Sequence, residues 1–255
     1  MLLTFDIGNT NITLGGYIAD RLEFEGRLST DTSKTADQYA VDIINLVNLK
    51  GFKKEDITDA VICSVVPSAL TAVKRAMKFI TGVEPTVLGP GTKTGLNIKI
   101  DNPAQLGADL VAGAIGSIGK YPTPTILIDL GTATTISVLN KNGDFIGCSI
   151  AAGVRSTLNA LTSKTAQLPA ISLEAPKSVI GKNTADSMKS GLVIGAAAML
   201  DGMIDRIEDE IGEKTTVVAT GGRAEAVIEN CRHEIILDNY LLLDGLIKFY
   251  HKNKT

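Results

Sequence analysis

The sequence has few of the residues on which several common kinds of site depend. Its 255 residues include three cysteines, two histidines and no tryptophan. Cys63, Cys148 and Cys231 lie far apart along the chain, a spacing that fits neither a disulfide framework nor a zinc-ligand pattern. His233 and His251 both stand late in the chain. We therefore expect neither a histidine-based metal site nor a histidine-based catalytic triad.

An excess of charge of one sign and a long apolar run are also missing. The chain has 25 Lys and Arg against 28 Asp and Glu, and this near-balance argues against nucleic-acid binding through bulk charge. No window stays apolar and uncharged for the roughly 18–20 residues that a membrane span needs. The first residues read as a strand, without the basic region or cleavage site of a signal peptide. We expect a cytoplasmic protein with no nucleic-acid partner and no membrane partner.

One motif occurs twice, about half a chain apart. An apolar run ends in Asp6-x-Gly8, another ends in Asp129-x-Gly131, and alternating β-forming residues follow each. A repeat of this length indicates a duplicated domain, because solenoid repeats are about 20–50 residues long. Each half reads as three antiparallel strands followed by strands alternating with helices, which predicts a mixed sheet covered by helices on both faces.

The fold class predicted from this pattern is α/β, with two copies of one domain. Gly119, Pro122 and Pro124 cluster near the middle of the chain and favour a boundary there. We therefore predict domains over residues 1–118 and 119–255, with a cleft between the two Asp-x-Gly turns.

The two Asp-x-Gly turns have the residue types of a nucleotide-phosphate site. A charged carboxylate at the end of an apolar strand is costly without a partner, and hard cations such as Mg²⁺ or K⁺ prefer oxygen ligands. Either turn alone is better explained as an ordinary turn, but their equivalent placement favours a nucleoside triphosphate with its metal. Additional side-chain donors are Asn9, Thr10 and Asn11 in the first copy and Thr132, Thr134 and Thr135 in the second.

Two further segments are candidates for chemistry. Asp109 borders the apolar face of a helix predicted over residues 103–118, so it is either a solvent-facing residue or a general base for a hydroxyl group. Gly221-Gly222 follows a strand and opens a helix, where backbone N–H groups can approach a nucleotide, although an ordinary turn is equally consistent. The absence of a Walker A pattern from the sequence excludes a P-loop kinase.

Together these motifs resemble the type III pantothenate kinase family, and the resemblance covers nearly the whole chain. It rests on the order and spacing of several segments. These are Asp6-Ile7-Gly8-Asn9-Thr10-Asn11, residues 89–96 (GPGTKTGL), Asn102-Pro103, Gly107-Ala108-Asp109, residues 129–135 (DLGTATT), Leu168-Pro169, Gly181-Lys182-Asn183-Thr184, Ser190-Gly191 and Gly221-Gly222.

The resemblance implies a fold and an activity. The fold is a pair of ribonuclease H-like domains with an ATP cleft between them, as in acetate and sugar kinases, heat-shock chaperone ATPases and actin. The activity is the ATP-dependent phosphorylation of pantothenate to 4′-phosphopantothenate, the first step of coenzyme A biosynthesis. Family members are homodimers that need a monovalent cation, K⁺ or NH₄⁺.

The resemblance also implies roles for particular residues. Thr132 would contact the ATP phosphates, Asp129 would hold the monovalent cation, and Asp109 would be the catalytic base. The first phosphate hairpin would consist of Asp6, Ile7, Gly8, Asn9, Thr10, Asn11, Ile12 and Thr13, with Asp6 also holding Mg²⁺. The pantothenate site would consist of Gly107, Ala108, Asp109, Leu110 and Thr184.

Leu110 departs from the family, which commonly has Arg directly after the catalytic Asp. Leucine can neither bind a carboxylate nor orient one. The sequence therefore leaves open a kinase of the same fold that acts on another small hydroxylated substrate. It also leaves open a non-catalytic regulatory relative, although both hairpins and Asp109 are intact, and an actin-like scaffold, which the small size of the chain disfavours.

Overall fold

Two five-stranded mixed sheets form the framework of the computed structural model, which describes residues 1–165, 167–222 and 224–254. The two sheets and the helices that follow their strands confirm the predicted α/β class. The chain divides into two compact units. Unit 1 consists of Met1–Leu96, Asp101–Ser117 and Leu241–Thr255, and unit 2 consists of Asn97–Ile100 and Ile118–Tyr240.

Unit 1 begins with three antiparallel strands, and two further strands extend the sheet in parallel, in the order β3-β2-β1-β4-β5. The strands are β1 (Leu2–Ile7), β2 (Asn11–Ile18), β3 (Arg21–Ser29), β4 (Asp59–Ser64) and β5 (Thr86–Val87). Its first three helices are α1 (Ala36–Leu49), α2 (Pro67–Thr81) and α3 (Ala108–Ser117).

Unit 2 repeats this arrangement, with the strand order β8-β7-β6-β9-β10 and the same strand directions. The strands are β6 (Thr125–Leu130), β7 (Ala133–Leu139), β8 (Phe145–Ala152), β9 (Thr216–Thr220) and β10 (Ile236–Leu237). The helices are α4 (Val154–Lys164), α5 (Thr184–Lys189), α6 (Gly195–Ile211) and α7 (Ala224–Ile228). Because β6 occupies the place of β1, the two Asp-x-Gly turns are structurally equivalent.

The last helix, α8 (Leu241–Asn253), packs on α3 within unit 1. The sequence placed this segment in the second domain, with residues 119–255, so the structural unit differs from the predicted boundary there. The reason is a close helix contact: a Cβ on Gly116 would strike the backbone of Leu241, and one on Gly245 would strike the backbone of Ala112. Small residues on both helices allow this approach.

Two predicted helices differ from those in the structure. The helix predicted over residues 103–118 is a 3₁₀ turn, Pro103–Gln105, followed by α3, so Asp109 lies in the first turn of α3 and not in its interior. The helix predicted over residues 186–211 contains a π-helical segment, Ser190–Ile194, between α5 and α6.

The helical run Thr184–Ile211 is long and apolar enough to cross a membrane by length and composition, and it is the one such run in the described part of the chain. A packed core helix has the same composition, so this finding is weak support for a membrane span.

Candidate active site

In unit 1, a row of three side chains crosses the sheet where β1 ends. Asp6 pairs with Thr13 on β2 and with Cys63 on β4, so the three side chains lie on one face of the sheet. Asp6 and Thr13 are half-buried, whereas Cys63 is fully buried. The Cys63 thiol donates a hydrogen bond to Asp6 Oδ1 over 3.4 Å.

The turn after Asp6 has a defined backbone and exposed polar side chains. The Gly8 N–H donates to the Asn11 carbonyl over 3.0 Å, which closes the turn between β1 and β2. Thr30, directly after β3, donates from its hydroxyl to the Gly8 carbonyl (2.6 Å) and from its N–H to the Thr10 carbonyl (3.0 Å). Asn9, Thr10 and Asn11 are exposed. Residues 6–13 therefore form one hairpin, as predicted, and Thr30 holds the backbone of its polar turn.

Asp109 lies in the first turn of α3, where its carboxylate is half-buried. Burial raises the pKa of this carboxyl above the usual value of 3.8, while the Leu110 N–H, which donates to Oδ1 over 2.8 Å, opposes the shift. A Cβ on Gly107 would collide with Asp109 Oδ1, so the glycine leaves room for the carboxylate. Ala108 and Leu110 are half-buried on either side of Asp109.

Asp6 and Asp109 belong to one neighbourhood within unit 1. Helix α3 packs against β4, and the charges of both aspartates act on the Cys63 thiol. Sequence reasoning found each aspartate but not their common neighbour Cys63, because no local pattern links residues so far apart along the chain.

Unit 2 has an equivalent row of side chains at the end of β6. Asp129 pairs with Thr135 on β7 and with Thr220 on β9. Thr135 Oγ1 is the one buried side-chain polar atom in the described part of the chain for which the structure gives no hydrogen-bond partner. A carboxylate beside such a hydroxyl matches the oxygen ligands of a hard cation. The sequence identified Asp129 and included Thr135 among the neighbouring donors, but it did not identify Thr220.

Helix α4 supports the turn between β6 and β7. The Gly153 N–H donates to the Thr132 carbonyl over 3.1 Å, and the Ser156 hydroxyl donates to the same oxygen over 2.7 Å. A Cβ on Gly153 would collide with the carbonyl oxygens of Gly131 and Thr132, so only glycine allows this approach. The Thr132 side chain remains exposed.

The Gly-Gly turn after β9 lies against Asp129. Gly221 has a φ of +102°, and a Cβ there would stand 2.6 Å from Asp129 Oδ1. The sequence left this turn open between an approach to a nucleotide and an ordinary turn, and the nucleotide role stays a prediction. Arg223, which follows the turn, lies outside the described residues.

Thr184 is the first residue of α5 in unit 2 and is exposed. Asn183 caps this helix, since its side chain accepts the Asp186 N–H over 2.9 Å. The other predicted substrate residues, 107–110, belong to unit 1.

The described residues contain no group of three or more His, Cys, Asp or Glu side chains that could hold a metal ion by themselves. Mg²⁺ bound together with a nucleotide does not require such a group, because it is usually held by one or two carboxylates plus phosphate oxygens and water. Asp6 is a suitable carboxylate, since it is half-buried at a strand end beside a backbone turn.

The family model and the curated relatives described below carry the same family description. The model of the family described as type III pantothenate kinase matches residues 2–206. A type III pantothenate kinase from Geotalea uraniireducens is 39% identical over 254 residues, which cover 100% of this chain and 99% of the relative. Another, from Finegoldia magna, is 39% identical over 258 residues, which cover 100% of this chain and 98% of the relative.

Comparison with solved structures gives the fold alone, because the identities are low. A structure described as a Baf family transcriptional activator from Campylobacter jejuni matches with a TM-score of 0.61 at 21% identity, covering 98% of each chain. The (R)-2-hydroxyglutaryl-CoA dehydratase component A of Acidaminococcus fermentans matches with a TM-score of 0.56 at 16% identity, covering 100% of this chain and 99% of that one. Both likenesses extend over nearly the whole chain and thus include both copies of the duplicated domain.

Proposed function

The chain belongs to the type III pantothenate kinase family, and from this premise we propose how its residues carry out the ATP-dependent phosphorylation of pantothenate. The reaction transfers the γ-phosphoryl group of ATP to the primary hydroxyl of pantothenate and yields 4′-phosphopantothenate, the first step of coenzyme A biosynthesis. Transfer of this kind depends mostly on positioning the reactants and neutralising charge. The observation that carries the residue roles is geometric: α3, which bears Asp109, packs against β4, whose Cys63 donates to Asp6 Oδ1.

The hairpin of residues 6–13 binds ATP phosphate groups in this proposal. Its turn has backbone and side-chain donors in an exposed position, and Thr30 restrains the backbone. Asp6 would hold Mg²⁺, which neutralises phosphate charge when it is bound.

The turn between β6 and β7 contributes Thr132 to phosphate binding in this proposal. Its backbone is held by Gly153 and Ser156, so the exposed Thr132 side chain projects from a fixed turn. Asp129 and the Thr135 hydroxyl would hold the monovalent cation, K⁺ or NH₄⁺, which supplies a further positive charge near phosphate. The unpartnered Thr135 Oγ1 supports this assignment, because a buried hydroxyl without a partner costs free energy.

Asp109 accepts the proton of the pantothenate hydroxyl as that oxygen attacks phosphorus. Partial burial raises the pKa of its carboxyl, which makes the carboxylate a stronger base than a fully hydrated one. Gly107, Ala108 and Leu110 flank Asp109 in sequence and are proposed to bind pantothenate. Thr184 is proposed as a further pantothenate-binding residue.

The remaining proposals concern partners and location. We infer a cytoplasmic homodimer with no nucleic-acid or membrane partner. The near-balanced net charge of −3 supports the absence of a nucleic-acid partner.

The product of the reaction tests this function. Purified protein is incubated with ATP, Mg²⁺, K⁺ and pantothenate, and the products are analysed by mass spectrometry and ³¹P NMR. We expect a phosphomonoester on the primary hydroxyl of pantothenate, with one ADP released per product. ATP binding without any phosphorylated pantothenate would instead favour the second candidate, a kinase for another small alcohol. Leu110, in place of the usual Arg, is the residue that favours that candidate.

A further inference from the structure

Cys63 is a buried residue that contacts Asp6 and has no role in the function proposed above. Its side chain has no exposed surface, and its thiol donates to Asp6 Oδ1 over 3.4 Å. The carboxylates of both Asp6 and Asp109 act electrostatically on it. A thiol that served only to fill the core would not need a carboxylate as its hydrogen-bond acceptor.

The duplication supports a role for this position. Cys63 stands beside Asp6 on β4 as Thr220 stands beside Asp129 on β9, since each pairs in register with the aspartate of its own unit. Both side chains are small, buried and able to donate a hydrogen bond. The equivalent neighbouring strand therefore supplies a small polar side chain to the aspartate in each unit. In β4 this is notable because the three residues before Cys63, from Ala60 to Ile62, are all buried hydrophobic residues.

A thiol is suited to this place because it is an uncharged donor. Cys63 has no exposed surface, and its hydrogen bond is made to Asp6 Oδ1. A cationic donor here would neutralise Asp6 and weaken its attraction for a divalent cation, whereas a thiol fixes one oxygen and leaves the carboxylate charge in place.

We propose that Cys63 is a positioning residue of the phosphoryl-transfer site, which holds the Asp6 carboxylate by a hydrogen bond to Oδ1 in the orientation that binds the divalent cation with ATP. This inference rests on the role proposed for Asp6. It predicts that loss of the thiol raises the Mg²⁺ concentration needed for ATP binding, even where no phosphoryl transfer takes place.

The test measures the Mg²⁺ concentration at half-maximal ATP binding, by equilibrium dialysis without pantothenate. We expect Cys63→Ala to raise this concentration about five-fold, the effect of losing one hydrogen bond of ordinary net strength. Cys63→Ser retains a donor and is expected to stay within about two-fold of the wild type. Cys231→Ala is the matched control, because its thiol lies near the carbonyl oxygens of Ala197 and Val227 and contacts neither aspartate.

A double-mutant cycle separates positioning from packing. In an Asp6→Asn background, Cys63→Ala should cause no further change in the Mg²⁺ requirement, because the carboxylate that it orients has gone. The melting temperature of each variant without nucleotide reports any packing loss separately. If Cys63→Ala folds poorly, Cys63→Val fills the position without a donor and should show the same rise.

Two different failures can be told apart. If Asp6→Asn leaves the Mg²⁺ requirement unchanged, the proposed role of Asp6 is wrong and the inference is lost with it. If Asp6→Asn raises the requirement but both Cys63→Ala and Cys63→Val bind ATP at wild-type Mg²⁺ concentrations, Cys63 is a core residue and only the inference is overturned.

Discussion

The Asp129 carboxylate lies against the Cα of Gly221, so closely that a Cβ on residue 221 would stand 2.6 Å from Asp129 Oδ1. Gly221 also has a φ of +102°, a conformation that L side chains rarely adopt. Both conditions require glycine at this position. The turn after β9 therefore forms one wall of the candidate cation site, whose other residues come from β6 and β7.

Replacement of Gly221 by alanine should disturb both stability and the cation site. Positive φ and the collision with Asp129 together are expected to cost about 1–3 kcal/mol of unfolding free energy, measured by urea denaturation. The half-maximal K⁺ concentration for activity should rise as the carboxylate is displaced. Gly143→Ala is the matched control, since Gly143 has a φ of +76° with nothing within 4 Å of an added Cβ. Equal losses in the two variants would contradict the close approach to Asp129.

Asp109→Asn should abolish most turnover while leaving ATP binding nearly intact. Asparagine keeps the shape of the side chain but cannot accept the hydroxyl proton, and removal of a general base typically costs about 10²–10⁴-fold in rate. Steady-state kinetics and ATP titration measure the two quantities separately. Asp101→Asn, an exposed carboxylate of the same unit, serves as the control. Wild-type turnover in Asp109→Asn would remove Asp109 from the catalytic role.

The pH profile of kcat/KM should have an acid limb that reports Asp109. Burial raises the pKa of this carboxyl above 3.8, so activity is lost as pH falls through that raised value and the base becomes protonated. The same shift makes the ionised group unfavourable for folding, since the folded state binds its proton more tightly than the unfolded state. Asp109→Asn should therefore be no less stable than the wild type at neutral pH. An acid limb with its midpoint at or below 3.8 would contradict the burial of an essential Asp109.

Ionised Asp144 should stabilise the folded state, in contrast to ionised Asp109. Hydrogen bonds from Lys99, Asn140 and Asn97 lower the pKa of its carboxyl to about 2. Its contribution is present above the usual pKa of 3.8 and is lost as pH falls toward 2. The difference in unfolding free energy between the wild type and Asp144→Asn should therefore shrink over that interval in urea titrations. A difference that stays constant down to pH 2 would show that the ionised form gains nothing from these neighbours.

The duplication was predictable from sequence, whereas the neighbours of Asp6 and Asp129 on the parallel strands β4 and β9 were not. Asp6 and Asp129 were identifiable because each ends an apolar run and precedes a glycine, a pattern that is local. The neighbours Cys63 and Thr220 come from strands that pair in parallel with β1 and β6 after long connections. Periodicity within a strand carries no information about which distant residue stands beside it.

The sequence patterns also did not predict where α3 begins or which helix α8 packs against. The helix predicted over residues 103–118 starts only at Ala108, because the backbone at Leu106 is extended and ends the 3₁₀ turn. Helix α8 packs on α3 through glycines more than a hundred positions apart, Gly116 and Gly245. Tertiary contact, and not local propensity, decides these features.

The most direct test of the proposed function is ADP release from purified protein with ATP and Mg²⁺, with and without pantothenate, in K⁺ and again in Na⁺. We predict release that depends on pantothenate and is stimulated by K⁺ relative to Na⁺. This result would support the kinase activity and the cation site at Asp129 together. ATP binding without any response to pantothenate, in either cation, would contradict pantothenate as the substrate.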